Sequence, residues 1–443
     1  MPRATAARLD TAALAALGDL ELSLADQGVP ARAAGLTVRE FLATSPTLDE
    51  FWTPLTVLDG SALARNADAI QAWATAHGLE LMPHGKTTMA PELWEFQLAR
   101  GATGLTLATP GQVRIARGFG ASSIQLANAL VAPHALAWLA GELADEGFSF
   151  WCWADSIETV EAMERGLETS GAVLPRPIDV LVELGAPGGR TGARSDDAAL
   201  DVARRIHASP VLRLGGVAGY EGSLGHDRSP GALAAVRDYL DRMVALFERI
   251  RAGHDGELML TAGGSAYLDV VAEAFAPAIE AAAGRTADDS SRFVLRSGAS
   301  LVHDDGFYRG ISPLGGELVA AMRGYARVVS HPEPGLALLD GGKRDFPYDE
   351  GLPVPLHTTE QARLTSAPGT PLTEASVTAL NDQHAFVRVR ESAPSGAALA
   401  LEIGDVVALG LSHPCTAFDK RRLLPVIAGD GDDTVVGLVR TFF

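Results

Sequence analysis

Leu81-Met82-Pro83-His84-Gly85-Lys86-Thr87-Thr88-Met89-Ala90-Pro91 is the stretch from which the fold reads outward. Leu79 to Met82 suit a strand. Pro91-Glu92, followed by Leu93, Trp94, Phe96, Gln97 and Leu98, suits an amphipathic helix with proline in its first turn. Lys86 therefore falls at a strand-to-helix turn, where α/β barrels place catalytic groups. A lysine in such a turn is more often simply solvated, so the rest of the chain decides its meaning.

The same strand-then-helix texture recurs. Leu55-Thr56-Val57-Leu58 reads as a lead-in strand, and Asp59-Gly60-Ser61 supplies cap residues for a helix from Ala62 to His77. Short apolar runs follow at 80–86, 104–109, 123–128, 148–154, 178–185, 211–219, 257–263 and 292–298. Between them lie amphipathic segments such as Ser156–Leu167, Asp196–Ile206, Ala232–Ile250 and Tyr267–Phe275. Buried strands alternating with helices predict a parallel sheet with helices outside. Eight such units in about 250 residues predict a closed (β/α)8 TIM-type barrel. An open doubly wound sheet is the competing reading, but no G-x-G-x-x-G follows the first strand.

Beyond about Gly310 the texture changes. Leu318–Met322 and Tyr325–Val329 are separated only by Arg323-Gly324, and the runs Leu336–Leu339, Ala385–Val389, Val406–Leu409 and Val435–Leu438 follow among Gly, Pro and Asp clusters. These predict a second, all-β domain, with an irregular Asp340–Pro355 loop long enough to carry function. The expected organisation is a helical N-terminal arm over 1–50 packing with the β domain, a barrel over 51–310 and the β domain over 311–443.

Composition narrows the function. The chain has 443 residues, is 47% hydrophobic and carries 36 basic against 55 acidic residues, a formal charge of −19. So acidic a surface repels phosphate backbones, which argues against nucleic acid. Only Cys152 and Cys415 occur, too few for a disulfide framework, which suits a reducing cytoplasm. Met1-Pro2-Arg3-Ala4-Thr5 leads into an Ala/Leu-rich stretch broken by Asp10, Asp19, Glu21 and Asp26, unlike a signal peptide, and no apolar run of about 18 residues suggests a membrane span.

Candidate chemistry gathers at strand ends. Gly219-Tyr220-Glu221-Gly222 follows the sixth strand, Gly263-Gly264-Ser265 the seventh and Ser297-Gly298-Ala299-Ser300 the eighth. Loops after the last two strands are where such barrels bind phosphate through backbone N–H groups. Glycines also end strands everywhere, so each motif alone is weak. Arg190, on the glycine-flanked loop after the fifth strand, could hydrogen-bond an anionic oxygen of a cofactor. In the C-terminal region, His413 and Cys415 of Ser412-His413-Pro414-Cys415-Thr416 project from one face of an extended chain, half of a site for Zn²⁺; an inert buried cysteine is the commoner case. Asn381-Asp382-Gln383-His384 is a polar cluster opening a strand.

In this order and placement, the sequence resembles the fold-type III pyridoxal-phosphate enzymes related to alanine racemase, and within them the D-serine dehydratase and D-threonine aldolase branch. The residues that carry the likeness are Pro83–Thr87, Arg190-Thr191-Gly192, Gly219–Gly222, Arg296-Ser297-Gly298, His303–Tyr308, Asn381–His384 and Ser412–Thr416, together spanning roughly 50–425. The resemblance implies that Lys86 is the Schiff-base lysine of pyridoxal phosphate. It implies that Arg190 and Tyr220 hold the cofactor ring and its oxygen, and that Gly263, Gly264, Ser265, Gly298 and Ala299 seat its phosphate. It implies that His413 and Cys415 bind a divalent metal, with zinc the expected ion. Aldolases of the branch typically carry a carboxylate where Cys415 stands, whereas its dehydratases carry His-Pro-Cys.

The implied activity is an ammonia-lyase that dehydrates a D-3-hydroxy amino acid such as D-serine or D-threonine to a 2-oxo acid, with retro-aldol cleavage to glycine and an aldehyde as the alternative. A racemase would need a second acid/base and no metal, and a mere cofactor carrier would resemble the barrel alone. A homodimer is the implied assembly. Thr88-Met89 replaces the family's usual His-Lys, and Ser223 stands where a histidine usually follows Tyr-Glu-Gly, so the particular D-amino acid is left open.

Overall fold

A computed structural model describes residues 7–283, 290–390, 399, 401–429 and 431–443, so the Met1–Thr5 stretch lies outside the described residues. The chain divides into two compact units. One comprises 7–10, Ile70–Lys86 and Trp94–Gly298; the other comprises Thr11–Ala69, Thr87–Leu93 and Ala299–Phe443.

The first strand, β1 (Leu55–Asp59), belongs to the second unit. The strands of the first unit are β2 (Glu80–Leu81), β3 (Leu105–Leu107), β4 (Ser123–Leu126), β5 (Ser149–Ala154), β6 (Ile178–Glu183), β7 (Leu212–Ala218), β8 (Leu258–Ala262) and β9 (Ser291–Leu295). All pair in parallel, each with its sequence neighbour from β3 to β9, and β9 pairs with β2. A parallel bridge between His84 and Thr106 joins β2 to β3, with Thr106 N donating to Pro83 O at 2.9 Å. The eight predicted barrel strands are thus all present and joined in sequence order.

Local chemistry explains the helices between them. Ser156 caps Ile157–Ser170 by accepting from Thr159 N at 3.1 Å, and Gly171 ends that helix in the left-handed conformation. Ser195 caps Asp196–His207, which carries Asp196 and Asp197 in its first turn and Arg204, Arg205 and His207 in its last, complementing the helix dipole. Met82, Trp151, Trp153, Leu181, Ala218, Met259 and Val294 form a buried cluster of the barrel interior.

The second unit holds β10 (Met322–Glu333), β11 (Leu336–Leu339), β12 (Val354–Thr359), β13 (Pro368–Pro371), β14 (Ala375–Leu380), β15 (Ala385–Val389), β16 (Val406–Gly410), β17 (Leu423–Gly429) and β18 (Asp432–Arg440). These form a sheet in which β1 runs antiparallel to β10 and parallel to β17. Two expectations are corrected here. The lead-in strand 55–58 is a central strand of the β unit, because Leu55 and Val57 bury against Phe41, Leu48, Tyr325 and Ile427. The boundaries 51, 310 and 311 also shift, since Thr11–Ala69, Thr87–Leu93 and the chain from Ala299 onward all pack in this unit. Periodicity identifies a strand but not the sheet that it joins. Helix within 7–50 is limited to Thr11–Leu17 and Val38–Leu42 plus short 3-10 turns, as Gly18, Gly28, Pro30, Gly35 and Pro46 interrupt the Ala/Leu-rich stretch.

Candidate active site

In the barrel, Lys86 lies in a single 3-10 turn, Gly85–Thr87, just after β2. Neighbouring strands fix that turn. His84 N donates to Arg296 O at 3.2 Å, Thr106 Oγ1 to Met82 O at 2.7 Å, and Trp94 Nε1 to Gly85 O at 2.9 Å. Gly298, after β9, allows the closest approach: a Cβ there would stand 2.7 Å from both the Cβ and the carbonyl oxygen of His84. The loop expected to seat phosphate is therefore packed against the lysine turn.

Cations converge around His84. Burial, and then the charges of Lys86, Arg296 and Arg190, hold its imidazole well below the usual histidine range, and its Nδ1 is buried without a hydrogen-bond partner among the described residues. The ring is neutral at physiological pH. Arg190 lies 5.2 Å from the centroid of the Tyr220 ring. The sequence-predicted Lys86, Arg190 and Tyr220 thus occupy one electrostatic neighbourhood of the barrel.

Arg296 is fully buried. It donates to Thr261 Oγ1 at 2.7 Å and to Gly219 O at 2.5 Å, and its guanidinium lies 5.0 Å from the Trp153 ring centroid. Burial lowers its pKa to about 10, against the opposing pull of Glu221. Glu221 is itself 0% exposed and accepts from Gly263 N at 2.9 Å and Gly264 N at 2.6 Å. The two N–H groups with the expected phosphate geometry are therefore held by a carboxylate of the chain. Gly263 adopts φ +99°, which only glycine takes easily, and the Tyr220 ring edge lies 3.1 Å from where a Cβ of Gly264 would stand. Ser265 Oγ and Ser297 Oγ are 2.8 Å apart at the ends of β8 and β9, and Ala299 is buried in the turn that follows Gly298.

The β unit holds the second set of groups. His413 follows β16 with φ 58°, an unusual conformation for a non-glycine residue, and its N–H donates to Asp304 Oδ2 at 3.0 Å. Asp304 is 3% exposed and accepts from Gly306 N at 3.0 Å and Tyr308 N at 2.8 Å. His413 Nδ1 meets Asp349 Oδ2 at 2.6 Å, and Thr416 Oγ1 donates to Asp349 Oδ1 at 2.7 Å. Burial alone would lower the His413 pKa, but hydrogen bonding to Cys415, its charge and the Asp349 carboxylate raise it to about 9. Cys415 Sγ also lies 3.3 Å from the hydroxyl of Thr87, the residue that follows Lys86. Among the described residues no third histidine, cysteine or carboxylate completes a metal-holding group with this pair.

His84, Glu221, Arg296, Thr87, Asp304 and Asp349 were not singled out as site residues from sequence. Five of the six stand inside or beside motifs that were, so motif adjacency was their available signal. Asp349 lies in the Asp340–Pro355 loop, where loop length was the signal.

A family model described as "Putative serine dehydratase domain" matches residues 321–427. A D-threonine aldolase of Arthrobacter sp is 29% identical over 378 residues, covering 85% of this chain and 89% of the relative. A D-threo-3-hydroxyaspartate dehydratase of Delftia sp. (strain HT23) is 27% identical over 395 residues, covering 87% and 96%. Among solved structures, a D-threonine aldolase from Filomicrobium marinum superposes with TM-score 0.71 at 22% identity, over 89% of this chain and 95% of that one. A cysteine-to-alanine mutant of a D-threo-3-hydroxyaspartate dehydratase, solved in the metal-free form, superposes with TM-score 0.69 at 21% identity, over 90% and 99%. The structures show a shared fold, and the sequence matches run through both units. These likenesses are to the alanine racemase-like, fold-type III pyridoxal-phosphate family, in the branch of the D-serine dehydratases and D-threonine aldolases.

Proposed function

We propose that this protein is a pyridoxal-phosphate- and metal-dependent lyase that dehydrates a D-3-hydroxy amino acid, such as D-serine or D-threonine, to a 2-oxo acid and ammonia. The observation that carries the reading is the donor set of the β unit. An imidazole and a thiol, His413 and Cys415, stand together with Asp349 on His413 Nδ1, and the thiol touches the residue next to Lys86. A histidine whose other nitrogen is held by a carboxylate is a common arrangement for a metal ligand. Imidazole plus thiolate suits zinc, and two protein ligands leave positions for substrate.

The barrel residues fit the cofactor. Lys86 would carry it, Arg190 and Tyr220 would face its ring and oxygen, and the loops Gly263–Ser265 and Gly298–Ala299 would line its phosphate, with Ser265 and the Gly298–Ala299 turn as its donors while Glu221 holds the Gly263 and Gly264 N–H groups. The close packing of Gly298 on His84, the paired hydroxyls of Ser265 and Ser297, and the unpartnered His84 Nδ1 support this assignment. When bound, pyridoxal phosphate supplies an electron sink for the bond broken at Cα, and a divalent metal supplies Lewis acidity at the β-hydroxyl.

The chain's own part is proton handling and orientation. Lys86 Nζ would take the α-proton of the substrate. Loss of that proton from Cα and of the hydroxyl from Cβ, then hydrolysis of the C–N bond, yields pyruvate and ammonia from D-serine, or 2-oxobutanoate and ammonia from D-threonine. The likeness to a D-threonine aldolase favours a second reading, cleavage of Cα–Cβ to glycine and an aldehyde. Incubation with a panel of D-3-hydroxy amino acids, with and without chelator, separates them: 2-oxo acid is expected, and glycine plus aldehyde in its place would replace dehydration with the aldolase reaction.

We place the enzyme in the cytoplasm as a homodimer. Free Cys152 and Cys415 support a reducing compartment, and no helix among the described residues is long and apolar enough to cross a membrane. Sedimentation analysis tests the assembly.

A further inference from the structure

The loop 185–193, between β6 and the helix Asp196–His207, carries Arg190 and holds four glycines. Gly188 and Gly192 take left-handed φ values of +74° and +100°. So glycine-rich a segment has little conformational preference of its own, and fixing it costs backbone entropy. Its base is closed by Gly185 N to Ala193 O at 2.9 Å and Ala193 N to Glu183 O at 2.8 Å. Its returning arm is tied by Thr191 Oγ1, which donates to Glu183 Oε1 at 2.6 Å, and by Gly192 N, which donates to Asp155 Oδ2 at 3.2 Å.

One side chain fills the loop. Arg194, just past its end and itself exposed, turns its guanidinium inward. Nη1 donates to Ala186 O at 3.1 Å and Thr191 O at 3.0 Å, and Nη2 to Gly189 O and Arg190 O, both at 2.9 Å. These carbonyls lie on both arms of the loop, so one rigid fork fixes where each arm stands. One of the four belongs to Arg190, so the guanidinium sets the backbone from which the Arg190 side chain leaves.

The base of the loop is pinned to the other residue expected to face the cofactor. Tyr239, 4% exposed on the helix Pro230–Arg251, donates from Oη to Leu184 O at 2.6 Å and accepts from Tyr220 N at 3.1 Å. With base and tip both held, Arg190 stands 5.2 Å from the Tyr220 ring centroid. An arginine on a loose loop would have to be ordered by its ligand, at a cost in affinity.

We propose that Arg194 is a positioning residue: it shapes the 185–193 loop so that Arg190 is presented beside Tyr220 for an oxygen of the bound cofactor. The inference rests on the cofactor reading above and lies wholly within the barrel unit.

The test titrates the full-length protein, freed of cofactor, with pyridoxal phosphate, and compares wild type with Arg194→Ala, Arg194→Lys, Arg190→Gln and the double variant Arg190→Gln/Arg194→Ala. Arg194→Ala is expected to weaken binding about tenfold, and Arg194→Lys nearly as much, because an ammonium cannot span four carbonyls. Low-millimolar guanidinium should restore much of the affinity of Arg194→Ala and leave wild type unchanged. Because Arg194 acts through Arg190, the double variant should bind no more weakly than Arg190→Gln alone. Hydrogen exchange gives a cofactor-free readout: the amides of 185–193 exchange faster in Arg194→Ala, while protection of the barrel strands stays the same. Unchanged affinity in Arg194→Ala, losses that add in the double variant, or unchanged exchange in the loop overturns the proposal. If wild type binds no pyridoxal phosphate, the cofactor reading fails, and the exchange rates still decide whether Arg194 shapes the loop.

Discussion

The two units arrange functional groups by opposite means. In the barrel, parallel strands end side by side, so residues just past β7, β8 and β9 become neighbours through the backbone alone. Glu221 reaches Gly263 N and Gly264 N, and Arg296 reaches Gly219 O and Thr261 Oγ1, without long loops. In the β unit the strands around the site run antiparallel, as β16 does to β10 and β12. His413 is set by side chains gathered from distant loops: Asp304 on its N–H, Asp349 on its ring, and Thr87 on neighbouring Cys415. The barrel site is thus coupled to core packing, whereas the β-unit site hangs on a few exchangeable polar contacts. Damage to the first should reach cofactor and fold together; damage to the second should reach the metal alone.

The largest test of this contrast is Lys86→Ala, which should abolish turnover, leave no cofactor absorbance after dialysis and lower the thermal unfolding midpoint. A variant that keeps cofactor and more than about a thousandth of wild-type activity would detach Lys86 from the chemistry. Next comes Cys415→Ala, expected to lower activity by about a hundredfold or more and metal content by elemental analysis while cofactor absorbance persists; Asp349→Asn should do the same more mildly, by about tenfold. Simultaneous loss of the cofactor in these variants would break the comparison, because the β-unit site would then share the barrel's coupling.

Glu221→Gln should act on the barrel in the way that the β-unit variants do not. A carboxamide can accept from only one of the two glycine N–H groups, so a loss of about 1–3 kcal/mol in unfolding free energy and roughly tenfold weaker cofactor binding are expected. Tighter cofactor binding would show instead that Glu221 competes with phosphate for those N–H groups.

The smallest effect is pH-dependent. Burial raises the Glu92 carboxyl in the β unit to about 7; Oε1 accepts from Arg440 N at a long 3.4 Å, and Oε2 is buried without a partner among the described residues. The folded protein keeps this proton to about pH 7, while an unfolded carboxyl releases it near pH 4.5. The stability contributed by Glu92 is therefore complete below about 4.5 and is lost as pH rises to 7, by about 3 kcal/mol at most. Chemical denaturation of Glu92→Gln across pH 5 to 8 should show that part of the slope flattened.

Much of the barrel was legible because its signals are local. Alternating apolar runs and capped helices need only a window of residues, and the repeat they form places the lysine turn at the end of a barrel strand. The glycine loops at 263–264 and 298 were legible in the same way, as strand-end punctuation. Glu221 was not, although it stands inside a quoted motif: that its carboxylate would take the Gly263 and Gly264 N–H groups depends on how β7 and β8 end relative to each other. Asn381-Asp382-Gln383-His384 resolves similarly. Gln383 donates to Asp345 Oδ2 at 3.1 Å and so helps to hold the loop that carries Asp349, a link made across separate loops.

By itself the sequence determined the kinds of elements, their order, the lysine turn and the His-x-Cys pair, because hydrophobic period, caps and residue chemistry are properties of short segments. Which sheet received Leu55–Asp59, which acid oriented His413 and which carboxylate took the glycine N–H groups were decided only in three dimensions. Each of those outcomes pairs groups far apart in the chain, and what selects among the possible pairings is burial and charge balance in the folded molecule, quantities that no local window contains.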